Sequence, residues 1–331
     1  MCYSAQVQAK FKEYRRLGGE MDIKEFVALA ERSAKSGRWV TDVPKALRNS
    51  FMDADPNDAE QQEARAAALE AYRATAAKHE QEIATQTERL MQAEAVLAGP
   101  RPTKKSTNDK RVATNRIAAA RAKLAQVEDY ATGEGFQRIW PGHYAPVLIR
   151  DPATGQRMVV PMRYRVRLKG WTVEDELQKP GTYNARKDKL STVWRGLWGH
   201  NHGIVQARRF YEAVRLADLE RRDLAPGEPE TSVEIEFRPE PEPEEGMYLA
   251  CLWRYSPPTE DEPGFYSFAA ITRDPPAEVA AAGHNRCIIA IKPEHLEAWL
   301  HPDAKRLGEQ LSLLEDPIDA YFEHAVVGSE A

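Results

Sequence analysis

The first residue whose type suggests chemistry is Cys2, in the opening stretch MCYSAQ. A side chain this small normally allows removal of Met1, which would leave an α-amine and a thiol on one residue. An α-amine with a pKa of roughly 8 is partly neutral near pH 7 and can add to a carbonyl. The neighbouring thiol can then close a five-membered thiazolidine ring, because both nucleophiles are already held together. The opening residues could therefore form an N-terminal nucleophile that reacts with a carbonyl, or Cys2 could simply be a chance second residue.

Two further residues have types suited to proton transfer. Glu212 lies inside the apolar run FYEAV, where a carboxylate either faces solvent or is buried with a purpose, and burial would raise its pKa into a useful range. His284 lies in AGHNRCIIAI and is suited to proton donation near pH 7. Taken alone, a histidine at such a place is more often a cap between a loop and a strand.

The sequence predicts neither a metal site nor a disulfide framework. Cys2, Cys251 and Cys287 are odd in number and lack C-x-x-C spacing. His200 and His202 have the spacing of a metal pair, but no matching cysteine or carboxylate cluster follows, so we interpret them as a turn. We expect no metal and no cofactor.

Charge is distributed unevenly along the chain, although the net charge is only −5. Residues 157–215 carry 13 Lys and Arg against 5 Asp and Glu, whereas residues 218–245 carry 11 acidic against 3 basic residues. This segregation favours one face for an anionic partner, or a surface whose loops differ in charge. The 42% hydrophobic share is typical of a globular protein, and the sequence shows neither a membrane-spanning run nor a signal peptide. We therefore expect a cytoplasmic protein that makes no contact with a membrane.

The pattern of the chain predicts an α+β fold with a mainly antiparallel sheet or open β-barrel-like core and flanking helices. Residues 7–52 read as short helices, and residues 57–130 as a helical hairpin joined by the basic loop RPTKKSTNDKR. Short strand-like runs with Pro and Gly between them begin after residue 134. We predict a single domain over residues 1–331, with the hairpin inserted and the core mainly in residues 1–10 and 135–310.

Four stretches together resemble a known family. They are Cys2 in MCYSAQ, Asn184 in TYNARKD, Glu212 in RRFYEAV and His284 in AGHNRCIIAI, and they occur in the order found in the SRAP family of SOS response-associated peptidases. The stretch from Trp140 to Leu300 resembles that family throughout, whereas residues 7–134 do not match clearly.

The resemblance implies a protein of the DNA-damage response that binds single-stranded DNA and forms a covalent crosslink with abasic sites through Cys2. It also implies self-removal of Met1 and a slow, lyase-like reversal of the crosslink. Asn184, Glu212 and His284 would complete the catalytic set, and Arg186 would contact the DNA backbone. When bound to DNA, the protein would be associated with the nucleoid.

Further DNA-binding candidates come from the basic segment. Alternation in RYRVRL places Arg163 and Arg165 on one face of a predicted strand. Trp171 could stack on a base or pack in the core, and Arg208 and Arg209 could line a phosphate pocket or form a solvated pair. The His-x-Arg stretch adds Arg286.

The chain departs from the family pattern beside its nucleophile. Tyr3 and Ser4 stand where the family has Gly and Arg, so Lys10, Arg163 or Arg165 would have to supply the missing cation.

Two alternatives remain open. Cys2 could serve an N-terminal-nucleophile peptidase or hydrolase that acts in trans, or the chain could be a degenerate, non-catalytic interaction protein. The helical hairpin could bind a protein partner or another copy of the chain.

Overall fold

The computed structural model describes residues 4–52, 54–128, 135–260 and 262–328. The chain divides into two compact units, the first formed by residues 1–25 and 134–331 and the second by residues 26–133. Each unit is described separately. The predicted arrangement of one domain with an inserted hairpin remains a prediction.

The described residues form thirteen strands and ten α-helices. The strands are β1 (Ser4–Gln8), β2 (Glu20–Met21), β3 (Phe136–Ile139), β4 (Tyr144–Arg150), β5 (Arg157–Tyr164), β6 (Asn184–Arg186), β7 (His202–Arg215), β8 (Ser232–Glu240), β9 (Met247–Ser256), β10 (Phe265–Arg273), β11 (Cys287–Ile288), β12 (Ala290–Ile291) and β13 (Tyr321–Val326). The helices are α1 (Ile23–Ser36), α2 (Trp39–Asp42), α3 (Lys45–Met52), α4 (Ala59–Ala98), α5 (Lys104–Glu128), α6 (Val173–Gln178), α7 (Leu216–Leu219), α8 (Ala277–Ala281), α9 (Leu296–Trp299) and α10 (Leu307–Glu315).

Five strands of the first unit close into a barrel. β9 pairs with β10, β10 with β5, β5 with β4, β4 with β7, and β7 pairs back with β9. Of these pairs, only β10–β5 is parallel. The α+β fold with a mainly antiparallel, barrel-like sheet is therefore confirmed, and the β7–β9 pairing shows that the barrel is closed.

The interior of the barrel is filled by side chains. Its apolar lining, which includes Val7, Tyr164 and Phe268, leaves a cavity of about 10 Å³. That is room for about one water molecule. The interior that the described residues enclose is therefore too full for a ligand.

Strand β7 extends beyond the barrel because it is 14 residues long. Its second half lies between β1 and β8, with β3 on the far side of β1 and β13 on the far side of β8. Ser4 lies opposite Tyr211, and Glu212 lies opposite Ile235. Alternation along β7 buries Phe210, Glu212 and Val214 on one face.

The second unit is helical and has an aromatic core. The ring of Trp39 lies 5.3 Å from that of Phe51 and 5.8 Å from that of Tyr72, and both contacts are edge-to-face. Such pairs add to the free energy gained from burial. This core joins α2 and α3 to the first turns of α4.

The helical hairpin is present as α4 and α5. Asp58 caps α4 by accepting a hydrogen bond from the backbone N–H of Gln61 at 3.1 Å. The predicted basic loop is mostly helical, because α5 begins at Lys104. Thr103 starts that helix, since its Oγ1 accepts from the N–H of Ser106 at 3.1 Å.

The helical reading of residues 7–52 was wrong at its start. Residues 4–8 form β1, and residues 20–21 form β2. Five residues with two glutamines carry too little periodicity to distinguish a strand, and the partners of β1 lie at least 128 residues away. Among the described residues, none of the helices has the length and apolar character that crossing a bilayer requires.

Candidate functional site

Glu212 and His284 meet on the buried side of β7. Oε2 of Glu212 lies 3.3 Å from Nε2 of His284, and the two residues are 0% and 7% exposed. Glu212 projects from the strand toward the core, whereas His284 follows α8 in a loop. The structure therefore brings together two of the four predicted catalytic residues.

Gly283 lets the loop of His284 approach β7. Its φ is +85°, a backbone conformation that favours glycine. A Cβ atom at this position would lie 2.8 Å from Cγ1 of Val214 and 3.1 Å from the backbone carbon of Asp218. The close approach of the loop to β7 therefore requires glycine here.

The hydrogen bonds of His284 fix its tautomer. Nδ1 lies 2.9 Å from the backbone carbonyl oxygen of Arg286, which can only accept, so Nδ1 donates. Burial lowers the pKa of His284 from 6.5 to about 4, so the imidazole is neutral at pH 7. A neutral ring that donates through Nδ1 leaves Nε2 as an acceptor. This nitrogen faces Oε2 of Glu212.

Asn184 and the loop of His284 lead into strands on opposite sides of β10. Asn184 begins β6 and lies opposite Ala270, while Ile288 of β11 lies opposite Thr272. Because neighbouring strands are about 4.8 Å apart, β6 and β11 are about 10 Å apart across β10. Asn184 is 7% exposed, so its amide is held within the sheet.

A basic cavity of about 220 Å³ opens beside these strands. Arg186 at the end of β6, Arg273 at the end of β10 and Arg286 contribute to its lining together with Lys187. The acidic lining residues are Asp188, Asp274 and Glu315, so cations are in excess. Arg186 is partly neutralised, because its Nε lies 2.7 Å from Oδ1 of Asp188. The arrangement is suited to an anion.

Cys2 lies outside the described residues, and its predicted role stays a prediction. The first described residue is Ser4, which is fully buried and lies opposite Tyr211, the chain neighbour of Glu212. Within the described part of the chain, no group of three or more His, Cys, Asp or Glu side chains could hold a metal ion.

Comparison with known families identifies the chain. A model of the SOS response associated peptidase (SRAP) family matches residues 103–330, which is more than half of the sequence. The chain belongs to the SRAP family.

Two solved structures resemble this SRAP chain distantly. A protein from Bacteroides thetaiotaomicron has 16% sequence identity and a TM-score of 0.45, and the match covers 58% of this chain and 78% of that chain. A phage-related protein from Bordetella bronchiseptica has 18% identity and a TM-score of 0.43, with 60% and 84% covered. No protein of curated function matches the chain.

Two predicted DNA-binding residues of this SRAP protein are engaged with α6. Strand β5 ends at Tyr164, so RYRVRL is not one continuous strand. Arg163 and Arg167 both pair with the carboxylate of Glu176, which is 4% exposed, and Arg165 donates to the backbone carbonyl of Glu176. These contacts give the arginines a role in packing, and their contact with DNA stays a prediction.

The other predicted contacts lie on separate surfaces. Trp171 is half-buried and lies 4.9 Å from the ammonium of Lys179. Arg208 stacks on Phe136 at 4.3 Å, and Arg209 pairs with Glu236 at 2.9 Å. The structure does not bring these three residues to the Glu212–His284 pair through any contact of the described residues.

Sequence reasoning missed Arg138. Its Nε donates to Oγ of Ser4 at 2.8 Å, although Lys10, Arg163 and Arg165 were the cations expected near the nucleophile. Arg138 lies on β3, whose short FQRI run gave no sign that it pairs with β1. Only the pairing of these strands could have revealed it.

Proposed function

We propose that this SRAP protein binds single-stranded DNA and forms a covalent crosslink with abasic sites through Cys2. The observation that carries the proposal is the buried Glu212–His284 pair beside the start of β1. Cys2 is covalently linked two positions before Ser4, and two residues span at most about 7 Å.

The reaction balances with these groups. The α-amine of Cys2 adds to the aldehyde carbon of a ring-opened abasic sugar and gives a carbinolamine. Protonation of its hydroxyl releases one water molecule and leaves an imine. The thiol then adds across the C=N bond, with sulfur bonding to carbon and the thiol proton going to nitrogen, and closes the thiazolidine.

The Glu212–His284 pair can carry the proton that these steps need. The pair can donate it to the leaving hydroxyl and recover a proton from the attacking ammonium. Asn184 would hydrogen-bond a sugar hydroxyl without adding charge. An abasic nucleotide has no base to unstack, which lowers the cost of bringing it into a pocket.

The basic cavity supports binding of the DNA backbone. Arg186, Arg273 and Arg286 present guanidinium groups, which recognise phosphate oxygens in a bidentate way. Contacts with the DNA backbone position a nucleic acid without reading its sequence. A sensor of missing bases requires this kind of sequence-independent binding. Binding of this kind weakens as salt rises.

The remaining assignments belong to the same proposal. Met1 is removed to expose Cys2, and the Glu212–His284 pair slowly reverses the crosslink by a lyase-like reaction. The protein acts in the cytoplasm on the nucleoid, as the association of its family name with the SOS response suggests. The α4–α5 hairpin binds a protein partner or a second copy.

Intact mass spectrometry tests the proposal. The protein is weighed before and after mixing with single-stranded DNA that contains one abasic site, and we expect loss of Met1 and a heat-stable adduct. Cys2→Ala keeps an α-amine but has no thiol, so it should yield an adduct only after reduction with borohydride. A form that retains Met1 should yield none.

Cys287→Ala is the matched control. Cys287 is fully buried, and burial raises the pKa of its thiol to about 12, so it cannot supply a thiolate. A protein that has lost Met1 but forms no adduct with the abasic DNA would overturn the proposal. Peptide turnover by the same sample would instead favour a peptidase that acts in trans.

A further inference from the structure

Arg138 connects four strands on the outer face of the sheet. It lies on β3, and its guanidinium reaches Ser4 on β1, covers the ring of Tyr211 on β7 at 3.7 Å, and pairs with Glu234 on β8. These strands are neighbours in the order β3, β1, β7 and β8. One side chain therefore ties the start of β1 to both strands beyond it.

The orientation of this guanidinium is fixed from several directions. Nη1 donates to Oε2 of Glu234 at 2.8 Å, and Nη2 donates to Oε1 of the same carboxylate. The ring of Trp140 lies 4.9 Å away as a second aromatic contact. A bidentate pair between two aromatic faces leaves the planar group little rotational freedom. Its Nε is thereby aimed at Ser4.

Ser4 is the point at which this restraint matters. It is 0% exposed, it is the first described residue of β1, and it lies opposite Tyr211. Cys2 is covalently linked to Ser4 through one intervening residue, and two residues span at most about 7 Å. Tyr211 precedes Glu212, so this register places Ser4 beside the segment of β7 that carries Glu212.

We propose that Arg138 is a positioning residue for the N-terminal nucleophile. It holds the start of β1 against β7, so that the α-amine of Cys2 stays within reach of Glu212 and His284. The inference rests on the proposed function. Arg138 would affect the rate of the reaction by positioning the nucleophile, and it would not contribute to DNA binding.

The test compares Arg138→Ala, Arg138→Lys and Ser4→Ala by single-turnover crosslinking and by affinity for undamaged single-stranded DNA. We expect Arg138→Ala to lower the rate at saturating DNA about tenfold while the Kd changes less than twofold. Arg138→Lys should be nearly as slow, because one ammonium cannot donate to Ser4 and hold Glu234 in the bidentate geometry. Rescue by lysine would show that only the charge matters and would overturn the proposal.

Ser4→Ala removes the same contact from the other side with a smaller change to the fold. We expect it to be slower than the wild type, and the double variant with Arg138→Ala to be no slower than Arg138→Ala alone. If the double variant were slower than Arg138→Ala by the same factor that Ser4→Ala alone costs, the proposal would be overturned. We also expect Glu212→Gln to slow the wild type strongly but to slow Arg138→Ala less than threefold. A role of Arg138 in folding alone would not produce this difference.

A reaction without DNA separates this inference from the proposed function. An N-terminal cysteine forms a thiazolidine with the small aldehyde glyoxylate, and the reaction can be followed by mass. We expect Arg138→Ala to slow this reaction as well. Equal rates for the wild type and Arg138→Ala would overturn the positioning role. A wild type that reacts with glyoxylate but never with abasic DNA would overturn the function instead.

Discussion

Oε2 of Glu212 lies 3.3 Å from Nε2 of His284, although 72 positions separate the two residues in the chain. Nδ1 of the imidazole lies 2.9 Å from the carbonyl oxygen of Arg286, so Nε2 is the ring nitrogen that faces the carboxylate. The predictions about proton transfer therefore concern both residues together.

Glu212→Gln should slow crosslinking about 100-fold at saturating DNA, because an amide cannot take up and release a proton as a carboxylate does. Single-turnover rates on abasic single-stranded DNA measure this. Glu240→Gln, which changes an exposed carboxylate on β8, is the control and should stay within twofold. A Glu212→Gln variant with the wild-type rate would remove the carboxylate from the reaction.

Acidification should destabilise the protein through His284. Its pKa is lowered from 6.5 to about 4, so the unfolded chain binds a proton that the folded protein excludes. The contribution is fully present above pH 6.5 and is lost as the pH falls toward 4, which amounts to about 2 kcal/mol between pH 7.5 and pH 5.

Urea unfolding at the two pH values measures this loss. His284→Gln should lose about 2 kcal/mol less than the wild type on acidification. The exposed His301→Gln should behave as the wild type does. Equal losses for all three proteins would show that the proton on His284 does not couple to folding.

Gly283→Ala should separate His284 from Glu212. The new methyl group would meet Val214 at 2.8 Å, so the loop would have to move. Gly227 offers a matched control, because its φ of +83° is almost the same but no atom lies within 4 Å of an added Cβ. Both variants should lose about 1 kcal/mol of stability from backbone strain, and only Gly283→Ala should also lose crosslinking. An active Gly283→Ala variant would contradict the need for a close approach.

Arg286→Ala should weaken binding to single-stranded DNA about tenfold and reduce the slope of log Kd against log salt by about 1. The physical reason is the loss of one phosphate contact in the basic cavity. Arg222→Ala removes an exposed arginine that is already paired with Glu220 and Glu228, and it should leave both quantities unchanged. If the two variants bound DNA equally well, the cavity would not be a phosphate site.

Glu176→Ala should destabilise the first unit by about 3 kcal/mol, because it removes a buried carboxylate that pairs with two arginines, although Arg167 keeps its pair with Glu262. Arg163 and Arg167 share this carboxylate, and both also lie over the ring of Phe265. Glu174→Ala on the same helix removes an exposed carboxylate and should change stability by no more than about 0.5 kcal/mol. Thermal melting distinguishes the two variants.

The sequence was informative where structure depends on local pattern. The alternation around Glu212 predicted a strand, and the alanine-rich stretches predicted the hairpin. It failed where a strand depends on a distant partner: the pairing of β1 with residues 136–139 and 207–211 leaves no periodic trace in five residues. The ion pair of Arg163 shows the same limit of sequence analysis, because its partner Glu176 lies on another element, the helix α6. Individual residue types suggested the chemistry, but only the fold could show that the side chains of Glu212 and His284 meet.

The pairing of β1 with β7 also means that β1 is synthesised well before one of its partner strands. Its partners on β7 reach position 211 of the chain, and β7 itself ends at Arg215. Ribosomes add about 5–20 residues per second, so β1 waits about 10–40 s for its partner strand to be synthesised. During that interval the beginning of the chain is open to the processing enzymes that meet nascent proteins. A first strand that must wait for β7 thus gives methionine removal a period in which to occur before β1 is fully paired.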